Sequence, residues 1–323
     1  MMMKMKRLLL LLKPLSVSSP PSHTHPQILQ FLENRRKVHH DAINFCQAIL
    51  QKKLVEWKAV LRNNLSQPIN NVDLVVTVGG DGTLLQASHS LDDKIPVLGV
   101  NSDPTEIDEV EQFSSEFDAT RSTGHLCAAT VENFEQVLDG ILEGQILPSE
   151  LSRIMISVNA LPLSTYALND ILVAHPCPAS LSRFSFRIKE GDKPCSPLVN
   201  CRSSGLRVST AAGSTAAMHS AGGFPMPILS RDLQYMVREP ISPGALSDFM
   251  HGLIEHDQTI VATWTCKKGV IYIDGSHIKH TIQDGDTIEI SSKAPVLKVL
   301  LPHHLLYLGK RTTKFTAYPQ RES

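Results

Sequence analysis

The sequence lacks several features that would assign the chain to a broad functional class. Its charge is balanced, with 31 Lys and Arg side chains against 32 Asp and Glu side chains, so no general attraction to nucleic acid is expected. Its six cysteines form no C-x-x-C pair and no metal-ligand spacing, which favours buried free thiols in a reducing compartment. No apolar run approaches the roughly 20 residues of a membrane span. We therefore expect neither nucleic acid nor a membrane as a partner.

The N-terminal residues allow two interpretations. Basic residues precede the leucine run Leu8–Leu12, as in a signal or transit peptide. However, Lys13-Pro14 ends the run at once, and no small-residue cleavage site follows. We favour a first buried strand of an α/β domain.

The two best-known nucleotide motifs, G-x-G-x-x-G and the P-loop, do not describe the glycine-rich turn of this chain. Val72–Val78 predicts a buried strand, Gly79-Gly80-Asp81-Gly82-Thr83 follows, and residues 83–88 can open a helix. A strand, a glycine turn and a helix N-terminus together form an anion site. A carboxylate would repel phosphate, so Asp81 is predicted to be a general base or a Mg²⁺ ligand. The plainer alternative is a tight turn that contains an Asp.

The order of elements predicts two domains. Helical patterns at 27–52 and 130–142 alternate with strand patterns at 72–78 and 95–100, which favours a parallel sheet covered on both faces. The acidic segment 103–121 is expected to be an exposed loop or a short amphipathic helix. After Ser152 the short strand-like runs favour antiparallel pairing. The fold class is therefore α/β, with a Rossmann-like parallel-sheet domain (1–148), a predominantly antiparallel β domain (149–302) and a tail (303–323).

Four motifs in the same order resemble those of the NAD kinases. Gly79–Thr83 resembles a signature that this family shares with diacylglycerol and sphingosine kinases and, more loosely, with phosphofructokinases. Leu98–Asn101, Asn169-Asp170 and the segment 213–223, which holds Gly-Ser-Thr-Ala and Ser-Ala-Gly-Gly, resemble NAD kinase motifs that the other kinases lack. Residues 122–127 and 237–243 resemble the plant-type NADH kinase branch in particular.

The resemblance implies ATP-dependent phosphorylation of NADH or NAD⁺ at the 2′-hydroxyl of the adenosine ribose, with Mg²⁺ accompanying ATP. Asp81 would be the general base, and no residue is assigned as a metal ligand. It further implies a homodimer or larger assembly. The expected location is the cytoplasm, with a peroxisomal or other organellar location left open. The residues expected to contact the nucleotides are Gly79, Gly80, Gly82, Thr83, Asn101, Asn169, Asp170, Arg202, Thr215, Ala216, Ala217 and Ser220.

The chain departs from the family pattern at three places. The loop that starts at Asn101 is interrupted by the acidic segment and resumes at Thr123–Leu126. Ser204 stands where the family has Asp, and Ala217 stands where it has Tyr. If the missing carboxylate lies near the nicotinamide, its loss removes an attraction for cationic NAD⁺ and favours NADH. The alternative is that Ser204 only caps a turn.

Two other functions stay open at this point. A lipid kinase of the diacylglycerol or sphingosine type would use the same glycine turn at a membrane surface. A dinucleotide-binding protein without catalysis would be consistent with the missing Asp and Tyr.

Overall fold

A computed structural model describes residues 6–15, 26–65, 67–242 and 244–308. The loop expected at 16–26 lies outside these residues except for Pro26, and the predicted tail lies outside them from residue 309 onward. Across the described segments, we find no helix that is both long and apolar enough to cross a membrane.

The helices and strands are numbered along the chain. The helices are α1 (Pro26–Lys52), α2 (Asp81–Ser88), α3 (Ile107–Phe113), α4 (Phe134–Leu142), α5 (Ala217–Ser220) and α6 (His303–Leu308). The strands are β1 (Arg7–Leu12), β2 (Glu56–Leu61), β3 (Leu74–Gly79), β4 (Val97–Asn101), β5 (Ala129–Thr130), β6 (Ser149–Leu151), β7 (Met155–Val158), β8 (Leu161–Pro162), β9 (Asp170–Ala174), β10 (Ser182–Glu190), β11 (Lys193–Pro194), β12 (Val199–Ser203), β13 (Gly205–Ser209), β14 (Leu233–Arg238), β15 (His251–Ile254), β16 (Gln258–Trp264), β17 (Gly269–Ile273), β18 (Ile278–Ile282), β19 (Thr287–Ser291) and β20 (Leu297–Leu300).

The first sheet has the order β2-β1-β3-β4-β20-β6, with β5 beside β4. All of its pairs are parallel except β20 with β6. The leucine run is the buried strand β1, as predicted. Its Leu8, Leu10 and Leu12 pack in the cluster that contains α1 and α4 residues, and Leu9 and Leu11 pack in the one that contains α2 residues. Helices therefore cover both faces of this sheet.

The second region consists of two antiparallel sheets. One has the order β11-β10-β16-β19-β7-β8, with β12 beside β10, and the other has the order β15-β14-β13-β9-β17-β18. Apolar residues of both sheets share one core, in which the Phe184 and Trp264 rings stack with centroids 6.1 Å apart. The predicted fold class is confirmed.

Strand pairing crosses the domain boundaries expected from the sequence. Strands β6 and β20 belong to the parallel sheet, and Leu305 of α6 is buried in the cluster on one of its faces. The chain thus leaves the first sheet after β6 and returns to it at β20. The predicted second domain, 149–302, therefore contains two strands of the first sheet. The division into 1–148, 149–302 and 303–323 stays a prediction.

A buried arginine joins α2 to the second half of the chain. Arg153 is 1% exposed, and its guanidinium donates to the carbonyls of Ser88 and Leu91, at 3.0 and 2.8 Å, and to that of Pro295 at 2.7 Å. A cation near the last carbonyls of a helix stabilises its C-terminus. The end of α2 is therefore fixed by a residue that lies two positions before β7.

We predict that Arg153→Met lowers the free energy of unfolding by about 3 kcal/mol, because it leaves several buried carbonyls without their donor. Urea unfolding measures this change. The exposed Arg183 serves as the control, and Arg183→Met should change stability by no more than about 0.5 kcal/mol. Equal effects of the two substitutions would contradict the role of Arg153.

His39 of α1 is a buried histidine next to the glycine turn. Its Nε2–H donates to the Lys13 carbonyl at 3.0 Å, and its Nδ1 accepts from the Ser102 hydroxyl at 2.7 Å, an assignment that follows because a carbonyl only accepts. Burial lowers the pKa of His39 below its usual 6.5. The folded state therefore favours neutral His39.

This lowered pKa predicts that stability falls as the pH drops below about 6.5, because the unfolded chain binds a proton there that folded His39 does not. The slope for one such group is at most about 1.4 kcal/mol per pH unit. His39→Gln should remove this contribution from urea unfolding curves measured between pH 7.5 and 5. The exposed neighbour His40 gives the control His40→Gln, which should keep the wild-type pH dependence. If His39→Gln keeps that dependence as well, the assignment fails.

Candidate functional site

Asp81 is the first residue of α2, and Gly79 and Gly80 precede it. Both glycines are required by packing. A Cβ on Gly79 would lie 2.3 Å from Thr83 Oγ1, and a Cβ on Gly80 would lie 2.3 Å from Ser122 Oγ. At these two positions the turn packs closely against other side chains of the protein. The need for glycine there is therefore explained by packing within the protein and does not require a ligand.

Gly82 differs from its neighbours. A Cβ there would meet nothing within 4 Å except Arg62 Nη1, at 4.0 Å. Gly82 is exposed in the first turn of α2, where backbone N–H groups have no partner within the helix. The space that phosphate groups would need is therefore open at Gly82.

The Asp81 carboxylate is held by the segment 122–126. It accepts hydrogen bonds from the backbone N–H groups of His125 and Leu126, both at 2.9 Å. The Thr123 hydroxyl lies 3.4 Å from one of its oxygens. Each carboxylate oxygen therefore accepts one backbone N–H, which fixes the orientation of the group at the end of the turn.

The family loop that is interrupted in the sequence is joined in space. Asn101, at the end of β4, donates from Nδ2 to the Ser122 carbonyl at 3.2 Å. Gly124 has φ of 65° and lies so close to Asn101 that a Cβ would come within 2.5 Å of Nδ2, so the contact requires glycine. The prediction that Asn101 belongs with Thr123–Leu126 agrees with this geometry.

The acidic segment 103–121 folds against α1. It contains α3, and Phe113 and Phe117 pack against Phe31 with ring centroids 5.6 and 5.1 Å away. Arg35 of α1 lies 3.1 Å from Asp103 and 3.2 Å from Glu109, and Arg121 pairs with the same two carboxylates. Part of its negative charge is thus neutralised within the protein.

Asn169 and Asp170, at the start of β9, are connected to the glycine turn through Asp274. The Asp274 side chain is fully buried, and its carboxylate accepts from the backbone N–H groups of Leu168, Asn169 and Asp170 at 2.7 to 3.0 Å. It also lies 2.8 Å from Nε2 of His89, at the C-terminal end of α2. One carboxylate therefore contacts the Asn169-Asp170 pair and the end of the helix that follows the glycine turn.

The side chains of this pair differ in what they contact. Asp170 pairs with Arg207 of β13; burial raises the pKa of the Asp170 carboxyl, and Arg207 opposes that effect. The Asn169 Oδ1 is buried without a hydrogen-bond partner among the residues that the structure describes. Buried polar atoms are nearly always satisfied, so Asn169 Oδ1 is a candidate acceptor for an N–H of a ligand.

The predicted residues of the small-residue segment lie beside Asn169. Gly213 packs on it so closely that a Cβ would come within 2.2 Å of the Asn169 carbonyl oxygen. The next turn and α5 are exposed apart from the buried Ser214 and Met218, and the four predicted contact residues there carry short side chains. These exposed residues are Thr215, Ala216, Ala217 and Ser220.

Arg202 and Ser204 lie away from this group. Arg202 is exposed on β12, which belongs to the other antiparallel sheet, and lines a cavity of about 250 Å³ with Ile241 and Met250. Ser204 precedes β13, at the opposite end from Ser209, which pairs with Asp170. No hydrogen bond or ion pair joins Arg202 to the glycine turn in the described part of the chain, and its role stays a prediction.

A carboxylate lies next to Ser204 in the structure. Its hydroxyl donates to Glu239, which follows β14 and has φ of 46°. The Asp that the family pattern places at 204 is therefore matched by a glutamate from the neighbouring strand end. This weakens the premise that the turn has lost its negative charge, and the NADH preference inferred from Ser204 stays a prediction.

The sequence pattern did not single out four residues of this region. Asp274 precedes Gly275 and looks like part of an ordinary turn, and His89 and Arg62 lie outside every motif. Arg207 lies in a strand pattern, and only the antiparallel register of β13 and β9 brings it to Asp170. All four depend on contacts between segments far apart in the chain.

Comparison with known proteins identifies the family. The family model described as the ATP-NAD kinase N-terminal domain matches residues 20–118. The chain is 57% identical to a probable NADH kinase from Oryza sativa subsp. japonica, over 95% of this chain and 100% of the relative. It is 60% identical to an NADH kinase from Arabidopsis thaliana, over 96% of this chain and 100% of the relative.

Two solved structures share the fold. A yeast NADH kinase complexed with NADH matches with a TM-score of 0.68 and 16% identity, over 97% of this chain and 90% of the other. An NAD kinase from Archaeoglobus fulgidus in complex with ATP matches with a TM-score of 0.63 and 21% identity, over 94% of this chain and 96% of the other. Taken with the identity to the plant relatives, which extends over nearly the whole chain, these findings establish that the protein belongs to the NAD kinase family.

Proposed function

We propose that this chain transfers the terminal phosphoryl group of ATP to the 2′-hydroxyl of the adenosine ribose of NADH, and also of NAD⁺, to give NADPH or NADP⁺. The observation that carries the proposal is the Asp81 carboxylate, which two backbone N–H groups hold at the first turn of α2 in a chain of this family. The names of the two plant relatives support NADH as an acceptor.

Asp81 acts as the general base in this proposal. It takes the proton of the 2′-hydroxyl as the oxygen attacks the terminal phosphorus of ATP, and ADP leaves. Phosphoryl transfer depends mainly on positioning and charge neutralisation. The N–H groups of His125 and Leu126 provide the positioning for Asp81, and the open backbone at Gly82 leaves room for phosphate oxygens.

The acceptor dinucleotide is proposed to bind beside Asn169 and Asp170. Asn169 Oδ1, which has no partner among the described residues, would accept a hydrogen bond from an N–H of the ligand. The exposed small residues Thr215–Ala217 and Ser220 allow the dinucleotide to lie close to the backbone. Asp170 would accept hydrogen bonds from ribose hydroxyls.

Magnesium is proposed to arrive with ATP. In the described ranges there is no group of three or more His, Cys, Asp or Glu side chains placed to hold a metal ion. Mg²⁺ in kinases is usually held by substrate phosphates, water and one or two carboxylates, so the residues present fit a nucleotide-bound ion. Asp81 is the carboxylate closest to the open turn and would be its protein contact.

The lipid-kinase alternative is not favoured, because the similar proteins found are NADH and NAD kinases. A homodimer and a cytoplasmic location also remain proposals. Support for association comes from the exposed Leu253 on the edge strand β15, since an exposed apolar edge strand favours pairing with another chain.

We predict that Asp81→Asn lowers kcat by about 10²–10⁴-fold, the range that a general base contributes. The affinity for NADH, measured by its fluorescence without ATP, should change little. A small loss of stability is also expected, because the new amide NH₂ faces a backbone N–H that donated to the carboxylate. Asp108→Asn, on the exposed face of α3, is the control for charge. Turnover within roughly tenfold of wild type would remove Asp81 from the mechanism.

Gly82→Ala should separate stability from activity. A Cβ there meets no clash within the protein and favours the helix, so stability should rise by about 0.5–1 kcal/mol. The same methyl group would occupy the space for phosphates, and kcat/KM should fall by at least about tenfold. Asn44→Ala, at an exposed position of α1, should raise stability without changing kcat/KM. Full activity of Gly82→Ala would show that no ligand approaches this turn.

A further inference from the structure

Arg62 is a desolvated cation beside the glycine turn. It follows β2, and burial lowers the pKa of its guanidinium. Its Nε is buried and has no hydrogen-bond partner within the described part of the chain. Across residues 6–15, 26–65, 67–242 and 244–308, no Asp or Glu lies within ion-pair distance of it. A desolvated guanidinium is costly unless an anion pairs with it.

The position of Arg62 suggests what that anion is. Its Nη1 lies 3.4 Å from Thr83 Oγ1, a long contact, and 4.0 Å from the place that a Cβ on Gly82 would take. Gly82 and Thr83 directly follow Asp81, so the guanidinium lies over the first turn of α2. An anion held there would be attracted both by the charge of Arg62 and by the positive end of the helix beside the exposed backbone of Gly82.

The guanidinium faces a cleft of about 370 Å³, a size typical of small-molecule sites. One wall is apolar and comes from Leu85 of α2 together with Ile273 and Ile278 of the β17–β18 hairpin. On the side of Arg62, the cleft is lined by the amide side chains of Asn63 and Gln86. The cleft thus combines one cation, an apolar wall and amide groups, which suits a nucleotide with a phosphate chain.

The carboxylate in this cleft does not oppose an anion strongly. Asp274 lines the cleft, but its oxygens already accept three backbone N–H groups and contact His89, and its side chain is fully buried. Two histidines also line the cleft: His89, which contacts Asp274, and His277, which is exposed. Arg62 therefore remains the group with unused hydrogen-bonding capacity.

We propose that Arg62 binds the phosphate chain of the phosphoryl donor, and that the cleft between α2 and the β17–β18 hairpin receives the rest of that nucleotide. This assignment rests on the proposed kinase function and extends it to a residue outside the family motifs. The donor would then lie on the Arg62 side of α2, while the acceptor lies beside Asn169 and is deprotonated by Asp81.

The test compares Arg62→Gln with wild type in steady-state assays and in calorimetric binding of ATP without acceptor. We expect KM and Kd for ATP to rise at least about tenfold, the loss typical of one charge-assisted contact. KM for NADH should change by less than about threefold, well below that loss. Binding of inorganic tripolyphosphate should weaken in parallel with ATP, whereas binding of adenosine should not.

The stability of Arg62→Gln is a second readout. It distinguishes ligand binding from a purely structural role of Arg62, for which the substitution would lower stability. Removing an unpaired desolvated charge should leave the urea midpoint of Arg62→Gln unchanged or higher. Lys58→Gln, on the exposed face of β2, removes the same charge nearby and should leave ATP binding unchanged. Ile278→Trp, which narrows the cleft from its apolar wall, should weaken ATP binding without touching Arg62.

Failure of this inference can be distinguished from failure of the proposed function. If wild type phosphorylates NADH but Arg62→Gln keeps the wild-type KM and Kd for ATP, the assignment of Arg62 is wrong. If KM for NADH rises instead, the cleft holds the acceptor and the assignment is equally overturned. If wild type has no kinase activity, the proposed function fails, and the ATP-binding comparison still decides whether Arg62 binds phosphates.

Discussion

The site depends on one buried carboxylate. Asp274 accepts three consecutive backbone N–H groups at the start of β9 and contacts His89 on α2. A fully buried charge persists only when its hydrogen-bonding capacity is met, so these four partners have little freedom to move apart. The parallel sheet contributes α2 and Asp81, the antiparallel region contributes Asn169 and Asp170, and Asp274 fixes the distance between them. Arg153 strengthens the same connection at the same C-terminal end of α2, through the carbonyls of Ser88 and Leu91.

Within that frame, each glycine of the turn has its own physical reason. Gly79 and Gly80 allow protein side chains to pack against the turn, and Gly82 leaves space outside it. The motif is therefore a mixture of packing requirements and an opening for a ligand. The segment 122–126 completes the turn by holding the carboxylate of Asp81 from the opposite side, which explains why that segment and the glycine turn belong to one unit.

Local patterns were sufficient to predict most of the fold. Runs of apolar residues predicted β1, β3 and β4, and short strands with intervening turns predicted the antiparallel region, because burial and turn chemistry act over a few residues. The membership of β6 and β20 in the first sheet was not predictable in this way, since it depends on pairing between segments about 150 positions apart. The same limit applies to the site. The motifs predicted Asp81 and Asn169, but the contacts of Asp274, His89 and Arg62 depend on how the two regions meet. Ser204 illustrates the reverse case, because the sequence shows a missing carboxylate and the structure places Glu239 beside it.

The closure of the acidic segment has a consequence for how this protein can diverge. Its two ends meet: Thr105 Oγ1 accepts from the backbone N–H of Arg121 at 3.0 Å and donates to the carbonyl of the same residue at 3.2 Å. Asn101 and Ser122, just outside these ends, are also joined. The entropy of closing a loop grows only slowly with its length, so a segment pinned at its base can gain or lose residues at small cost. The length and sequence of this segment can therefore change in evolution, and with them its binding surface, without displacing the residues that hold Asp81.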